Sequence, residues 1–178
     1  ENFRAVFYTP FYLAHSLGAY EAEGVDVRLG QSPDPSRNAA MLASGEVDVS
    51  WGGPMRVLVD HDCDPASEIV CFCEVVARDP FYVVGREPRP DFKLEDLASL
   101  SLASTKEVPT PWMCLQDDLR RAGVDPDALN RIPDKSMADN ADALRAGAVD
   151  TIQVFEPFAE QLLRDGAGHL WYAATERG

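Results

Sequence analysis

Apolar and polar positions switch repeatedly between a period of two and a period near 3.6, and the switches mark the elements. Residues 3–8 are short, apolar and aromatic, predicting a strand that ends at Thr9-Pro10. Residues 11–23 put Leu13, Leu17 and Tyr20 on one helical face, and Gly24 stops that helix. Residues 25–29 alternate as a strand, 35–44 predict a helix closed by Gly45, and 47–51 predict another strand. Gly52-Gly53-Pro54 leads into a short helix through Val59, residues 61–65 form a polar turn, and 69–76 predict a strand broken by Arg78-Asp79-Pro80. Extended structure resumes over 81–84, and the Pro- and charge-rich stretch 86–93 is a loop. A short helix near 94–97 precedes a strand over 100–104. Residues 111–122 carry the clearest helical stripe, with Trp112, Leu115, Leu119 and Ala122 on one face. A helix over 137–146, a strand over 149–155, a helix from Pro157 through Leu163 and a strand over 169–173 complete the chain. Strands alternating with helices predict an α/β fold with mainly parallel sheets.

The pattern is duplicated. Thr9-Pro10-Phe11 returns as Thr110-Pro111-Trp112, and Gly24-Val25-Asp26 as Gly123-Val124-Asp125. Gly45-Glu46-Val47-Asp48 returns as Gly147-Ala148-Val149-Asp150, and Pro54 as Pro157. The offsets are 101, 99, 102 and 103 residues, in the same order. Each match alone is ordinary α/β grammar; a near-constant offset across four predicts two similar lobes. In each, a strand ends and a helix begins at the same kind of turn, and open α/β sheets bind ligands outside the carboxyl ends of their strands.

The turn residues are therefore the candidate ligand contacts. They are Tyr8, Thr9, Phe11, Tyr12, Trp51, Gly52 and Gly53 in the first lobe, and Thr105, Thr110, Trp112, Phe155 and Glu156 in the second. Aromatic rings dominate, which suits a flat or partly apolar ligand by stacking or cation–π contact; the same rings could serve ordinary strand-end packing. Glu156, just before a helix start, either caps that helix or accepts hydrogen bonds from a ligand. Gly52-Gly53 lets a ligand approach the backbone closely or simply makes a tight turn.

Composition narrows the classes. The 178 residues include 16 Lys and Arg against 30 Asp and Glu, a net charge of −14, with no basic stripe of the kind nucleic-acid binders carry. No apolar run approaches the length of a membrane helix. Cys63, Cys71, Cys73 and Cys114 lack paired metal-ligand spacing and read as buried free thiols. No metal or cofactor is predicted, and no phosphate-loop motif is present.

The residues 8–14 (Tyr-Thr-Pro-Phe-Tyr-Leu-Ala), 17–20 (Leu-Gly-Ala-Tyr), 23–27 (Glu-Gly-Val-Asp-Val) and 42–48 (Leu-Ala-Ser-Gly-Glu-Val-Asp), then Gly52-Gly53-Pro54 and 155–159 (Phe-Glu-Pro-Phe-Ala), resemble a known family. It comprises the solute-binding proteins of ABC transporters for nitrate, sulfonate, taurine and thiamine pyrimidine precursors, and includes a eukaryotic thiamine-pyrimidine-forming enzyme. The resemblance implies the type II periplasmic-binding-protein fold, with two α/β lobes that close on a ligand. It places the first lobe at residues 1–78, the second at 79–174 and the start of a second hinge crossover at 175–178. It also implies further chain that returns to the first lobe. The expected function is capture of a small molecule, of aromatic or heteroaromatic character, by a monomer that delivers it to an ABC permease. The expected location is the periplasm or cell envelope. Where the enzyme resembles this chain it carries a Lys and a His; Gly52 and Arg56 stand at those positions. An enzyme on the same fold, with His15 or Glu156 in acid–base roles, and a sensory ligand domain are the alternatives. Lys106, Arg37 and Arg56 are the basic residues near the candidate loops.

Overall fold

The computed structural model describes residues 4–32, 34 and 37–177. The chain divides into two compact units, Glu1–Ala77 and Arg78–Gly178. Among the described residues no helix is long and apolar enough to cross a membrane.

The second unit is an α/β sandwich. Strands β1 (Tyr82–Gly85), β2 (Ser101–Thr105), β3 (Asn130–Lys135), β4 (Thr151–Val154) and β5 (His169–Ala173) form one sheet in the order β3-β2-β4-β1-β5. β2 pairs in parallel with β3 and β4, while β1 runs antiparallel between β4 and β5. Four strands thus share one direction, and β1 opposes them from inside the sheet. Its helices are α5 (Thr110–Arg121), α6 (Met137–Arg145) and α7 (Phe158–Arg164). Leu115 and Leu119 of α5 pack with Val83, Leu97 and Leu102 on one face of the sheet. On the other face Val84 meets Leu144 of α6 and Leu162 of α7 beside Gly168. Alternation along the strands sends successive apolar residues to opposite faces, so both are buried.

The first unit holds α1 (Thr9–Ser16), α2 (Ala19–Ala22), α3 (Asn38–Ala43) and α4 (Met55–Cys63). The single helix expected over 11–23 is broken at Leu17-Gly18, where Gly18 takes φ 68°. The expected strand at 3–8 is instead a turn of 3-10 helix over Val6–Tyr8, and Phe3 lies outside the described residues. Residues 25–29, 47–51 and 69–76 carry strand-like sequence but no ladder; Val70 is 71% and Phe72 74% exposed. A strand is defined by its partner's hydrogen bonds, and these segments have none to pair with among the described residues. The polar turn expected at 61–65 is part helix, since α4 runs on through Cys63. Residues 35 and 36 of the expected 35–44 helix lie outside the described residues. The cysteines are corrected too: Cys63, Cys71 and Cys73 are exposed and only Cys114 is half-buried.

The duplicated glycines do the same work in both units. Gly24, Gly45, Gly123 and Gly147 have φ between 69° and 79°. At each, the glycine N–H donates to the carbonyl three residues back, and the next residue's N–H donates five back, as in Gly147 to Leu144 and Ala148 to Ala143. Both bonds close the helix end and require the left-handed backbone. After Gly147, Val149 enters the core and Asp150 reaches β2. Ser101 donates to the Asp150 carboxylate from its backbone N–H at 2.9 Å and its hydroxyl at 2.7 Å. These bonds, the backbone one foremost, hold Asp150 below the ordinary carboxylate range.

A buried ion cluster closes the second unit. Arg177 binds Asp79 at 2.6 Å and Asp118 of α5 at 3.1 Å, and the Tyr172 hydroxyl donates to Asp118 at 2.9 Å. Burial, then the bond to Asp118, pushes Tyr172 up to about 12. Burial likewise raises the Cys114 thiol beside Asp79.

Two stability measurements check this packing. A Cβ added at Gly85 would lie 1.9 Å from the Trp171 ring, whereas one at Gly30 meets nothing within 4 Å. Gly85→Ala should cost roughly 1–3 kcal/mol in urea unfolding, and Gly30→Ala no more than about 0.5 kcal/mol. Asp150 has a depressed folded-state pKa, so its stabilisation is present above the unfolded carboxylate value and is lost as pH falls through the folded one. Asp150→Asn should lower the urea midpoint near neutral pH, with the gap to the parent closing as the solution is acidified.

Candidate functional site

In the first unit, two turns some forty residues apart bring their rings together. Tyr8 is buried where α1 begins, and Thr9 anchors that start by donating to the Val6 carbonyl at 2.5 Å. Phe11 stacks on Trp51 at 4.3 Å with an interplanar angle of 8°. Tyr12 meets Trp51 edge-on at 6.3 Å, and Tyr8 lies 6.1 Å from the same ring. Trp51 is thus the hub of Tyr8, Phe11 and Tyr12. Its indole N–H is buried and has no hydrogen-bond partner among the described residues. Beside it, Ser50 accepts a bond from the buried Asn38 amide at 2.9 Å. Gly52 is exposed and Gly53 half-buried; the Gly53 carbonyl accepts from Arg56 N–H as α4 opens. Arg4 lies over the Tyr12 ring at 5.9 Å. The Arg56 guanidinium is half-buried, and burial lowers its pKa against the raising fields of Tyr8 and Asp34.

The turns of the second unit have different content. Thr105, at the end of β2, is buried, and its hydroxyl donates to the Glu107 carboxylate. Glu107 also accepts the Met137 N–H at the head of α6. Thr110 opens α5 with its hydroxyl oxygen buried and without a hydrogen-bond partner among the described residues. Trp112 packs against the Leu115–Leu119 core, and the Arg131 guanidinium covers its ring at 4.2 Å. Phe155 is 2% exposed and lies edge-on to Phe81 in the core. Glu156 accepts the Glu160 N–H at 2.9 Å, so it caps α7. The expected equivalence of Trp51 and Trp112 is therefore one of sequence position alone: one heads an aromatic group, the other is roofed by an arginine.

Topology explains why polar groups gather there. The parallel strands β2 and β4 are neighbours, with Ala103 opposite Ile152. From its carboxyl end β2 leads through α5 to β3 on one side, while β4 leads through α7 to β5 on the other. Connections that diverge between adjacent strands leave a crevice outside their carboxyl ends. Gln153, in β4, was not among the expected contacts. It is 3% exposed, its amide N–H donates to the Pro111 carbonyl at 2.7 Å, and its carbonyl oxygen has no partner among the described residues. The available signal was a lone amide within an apolar strand. His15, by contrast, is exposed on α1.

Relatives with this arrangement are known. The chain is 24% identical over 167 residues to the candidate binding protein YtlA of Bacillus subtilis (strain 168), covering 93% of this chain and 50% of that one. Among solved structures, the alkanesulfonate-binding protein SsuA of Xanthomonas axonopodis pv. citri, bound to MOPS, matches with a TM-score of 0.73 at 18% identity, over 98% of this chain and 59% of its own. The periplasmic aliphatic sulphonate-binding protein SsuA of Escherichia coli matches with a TM-score of 0.70 at 17% identity, over 92% and 55%. The fold is that of the type II periplasmic binding proteins. The chain spans about half the length of the curated relative it matches. The family model described as NMT1/THI5 like matches residues 6–168, nearly the whole chain, and the chain belongs to that family.

Proposed function

We propose that this chain binds a small organic molecule through the turns that open its helices and serves an ABC importer as a solute-binding component. The observation that carries this is the convergence of Tyr8, Phe11 and Tyr12 on Trp51 from two separate turns. Aromatic groups held at the mouths of helices give apolar contact area at little entropic cost. In the second unit, Thr110 and Gln153 hold buried polar atoms without hydrogen-bond partners among the described residues. Two structural neighbours bind sulfonates, which supports an organic solute as the ligand class. The aromatic cluster favours a ligand with a ring or an extended apolar body. Binding alone suffices for such a role, because the ligand acts by differential affinity for two conformations. The working protein is a monomer of the periplasm or cell envelope, and its partner is the importer's permease.

Thermal-shift screening followed by calorimetry tests this with alkanesulfonates, taurine, nitrate, benzoate and a thiamine pyrimidine. At least one organic probe should raise the unfolding temperature and be recovered chemically unchanged. Conversion of a probe, lost in Glu156→Gln, would replace the binder with an enzyme. Phe11→Ala should weaken binding roughly tenfold or more, since it removes a stacking partner of the hub. Trp112→Ala should instead act on folding, costing roughly 3–5 kcal/mol in urea unfolding.

A further inference from the structure

We propose that Gln153 positions the head of α5 for the ligand, as a buried amide that serves binding at no gain to stability. This rests on the solute-binding role proposed above and gives one side chain of the second unit the task of holding a helix-opening turn in place.

Gln153 stands in β4 between Ile152 and Val154, in a strand buried along its whole length. It lies opposite Val83 of β1, and Val83 packs with Leu115 and Leu119 of α5, so the amide shares the face covered by that helix. Its N–H donates to the Pro111 carbonyl in the first turn of α5 at 2.7 Å. A helical carbonyl also accepts the N–H four residues on, so Pro111 does not depend on the amide for a partner. The Gln153 carbonyl oxygen has no partner among the described residues, and the residue is 3% exposed. Half of a buried amide is thus left unmade, which costs at least as much as one neutral hydrogen bond returns. An apolar side chain of similar size would avoid that cost, so stability does not account for the amide.

Geometry accounts for it instead. The head of α5 is tied to the sheet at two adjacent residues. Arg131 of β3 covers the Trp112 ring at 4.2 Å and donates from Nε to the Ser104 hydroxyl of β2 at 2.8 Å. Gln153 makes the other tie, at Pro111, and among the described residues it is the one side-chain hydrogen bond from β4 to α5. β2 and β4 are the neighbouring parallel strands whose connections diverge, so the two ties span the crevice outside their carboxyl ends. Thr110 immediately precedes Pro111, and the bond therefore fixes where Thr110 and the turn before it lie. A turn already held in place loses less freedom when a ligand arrives, which raises affinity without adding a ligand contact.

Calorimetry and thermal unfolding of the full chain test this together, with alkanesulfonates, taurine, nitrate, benzoate and a thiamine pyrimidine as probes. Gln153→Met keeps the length of the side chain and removes both polar groups. It should unfold at or above the parent's temperature, yet bind the tightest of these probes roughly fivefold or more weakly, the share of one hydrogen bond. Amide exchange over residues 109–115 should quicken in that variant while exchange in β1 and β2 keeps the parent's rate. Gln161→Met makes the same change at an exposed residue of α7 and should alter neither the affinity nor exchange at the head of α5. A purely structural amide would lower stability and affinity together. A Gln153→Met chain that is unfolded or clearly less stable therefore overturns the assignment, as does a folded one with the parent's affinity or the parent's exchange at 109–115. In each of those cases the probe still binds the parent, and the solute-binding role stands. If no probe binds the parent, both proposals fail together.

Discussion

The second unit is held at its ends by one guanidinium. Arg177 joins Asp79, where the chain enters the unit, to Asp118 on α5, and Tyr172 completes Asp118 from β5. The Asp118 side chain is only 5% exposed, so its charge needs both partners. Two carboxylates around one arginine would leave an excess of buried negative charge, and the tyrosine hydroxyl answers part of it as a donor. The Phe81 carbonyl accepts the Ala174 N–H just inside this cluster, so β1 and β5 start and stop together. With those strands pinned, β4 pairs outward to β2, and the divergence that creates the candidate crevice follows from the order of the strands. Asp150 repeats the device at the other end of the strands by anchoring Ser101.

Much of this was legible in the sequence because it depends on local signals. The four duplicated glycines read as helix stops, and all four take the left-handed backbone. The strands at 100–104, 149–155 and 169–173 alternate or run apolar because both faces of their sheet are covered, and they form within a residue or two of their expected places. β3 was missed for a physical reason. Asn130-Arg131-Ile132-Pro133-Asp134-Lys135 is an edge strand that buries little and carries a proline, so neither periodicity nor propensity marks it. The first unit fails in the opposite direction. Residues 25–29, 47–51 and 69–76 have the composition of strands, but composition cannot supply a partner, and pairing is what makes a strand.

The site was legible in part, and the division follows the same line. Rings near turns can be listed from sequence, but whether a ring is open or covered depends on what crosses it from elsewhere. Phe11 and Trp51 are forty positions apart and stack on each other; Trp112 and Arg131 are nineteen apart, and the cation covers one face of the ring. Glu156 was ambiguous between cap and ligand contact, and a single bond from the Glu160 N–H identifies a capping role. Gln153 escaped notice because an amide inside an apolar strand gives no periodic signal at all.

The duplication therefore preserves backbone grammar and not chemistry. Helix stops need a conformation that glycine meets far more cheaply than any other residue, so they persist at matching places in both units. Turn side chains have no such constraint. The first unit carries an aromatic hub with the Arg4 guanidinium over its Tyr12 ring, while the second carries hydroxyl and amide groups around the head of α5.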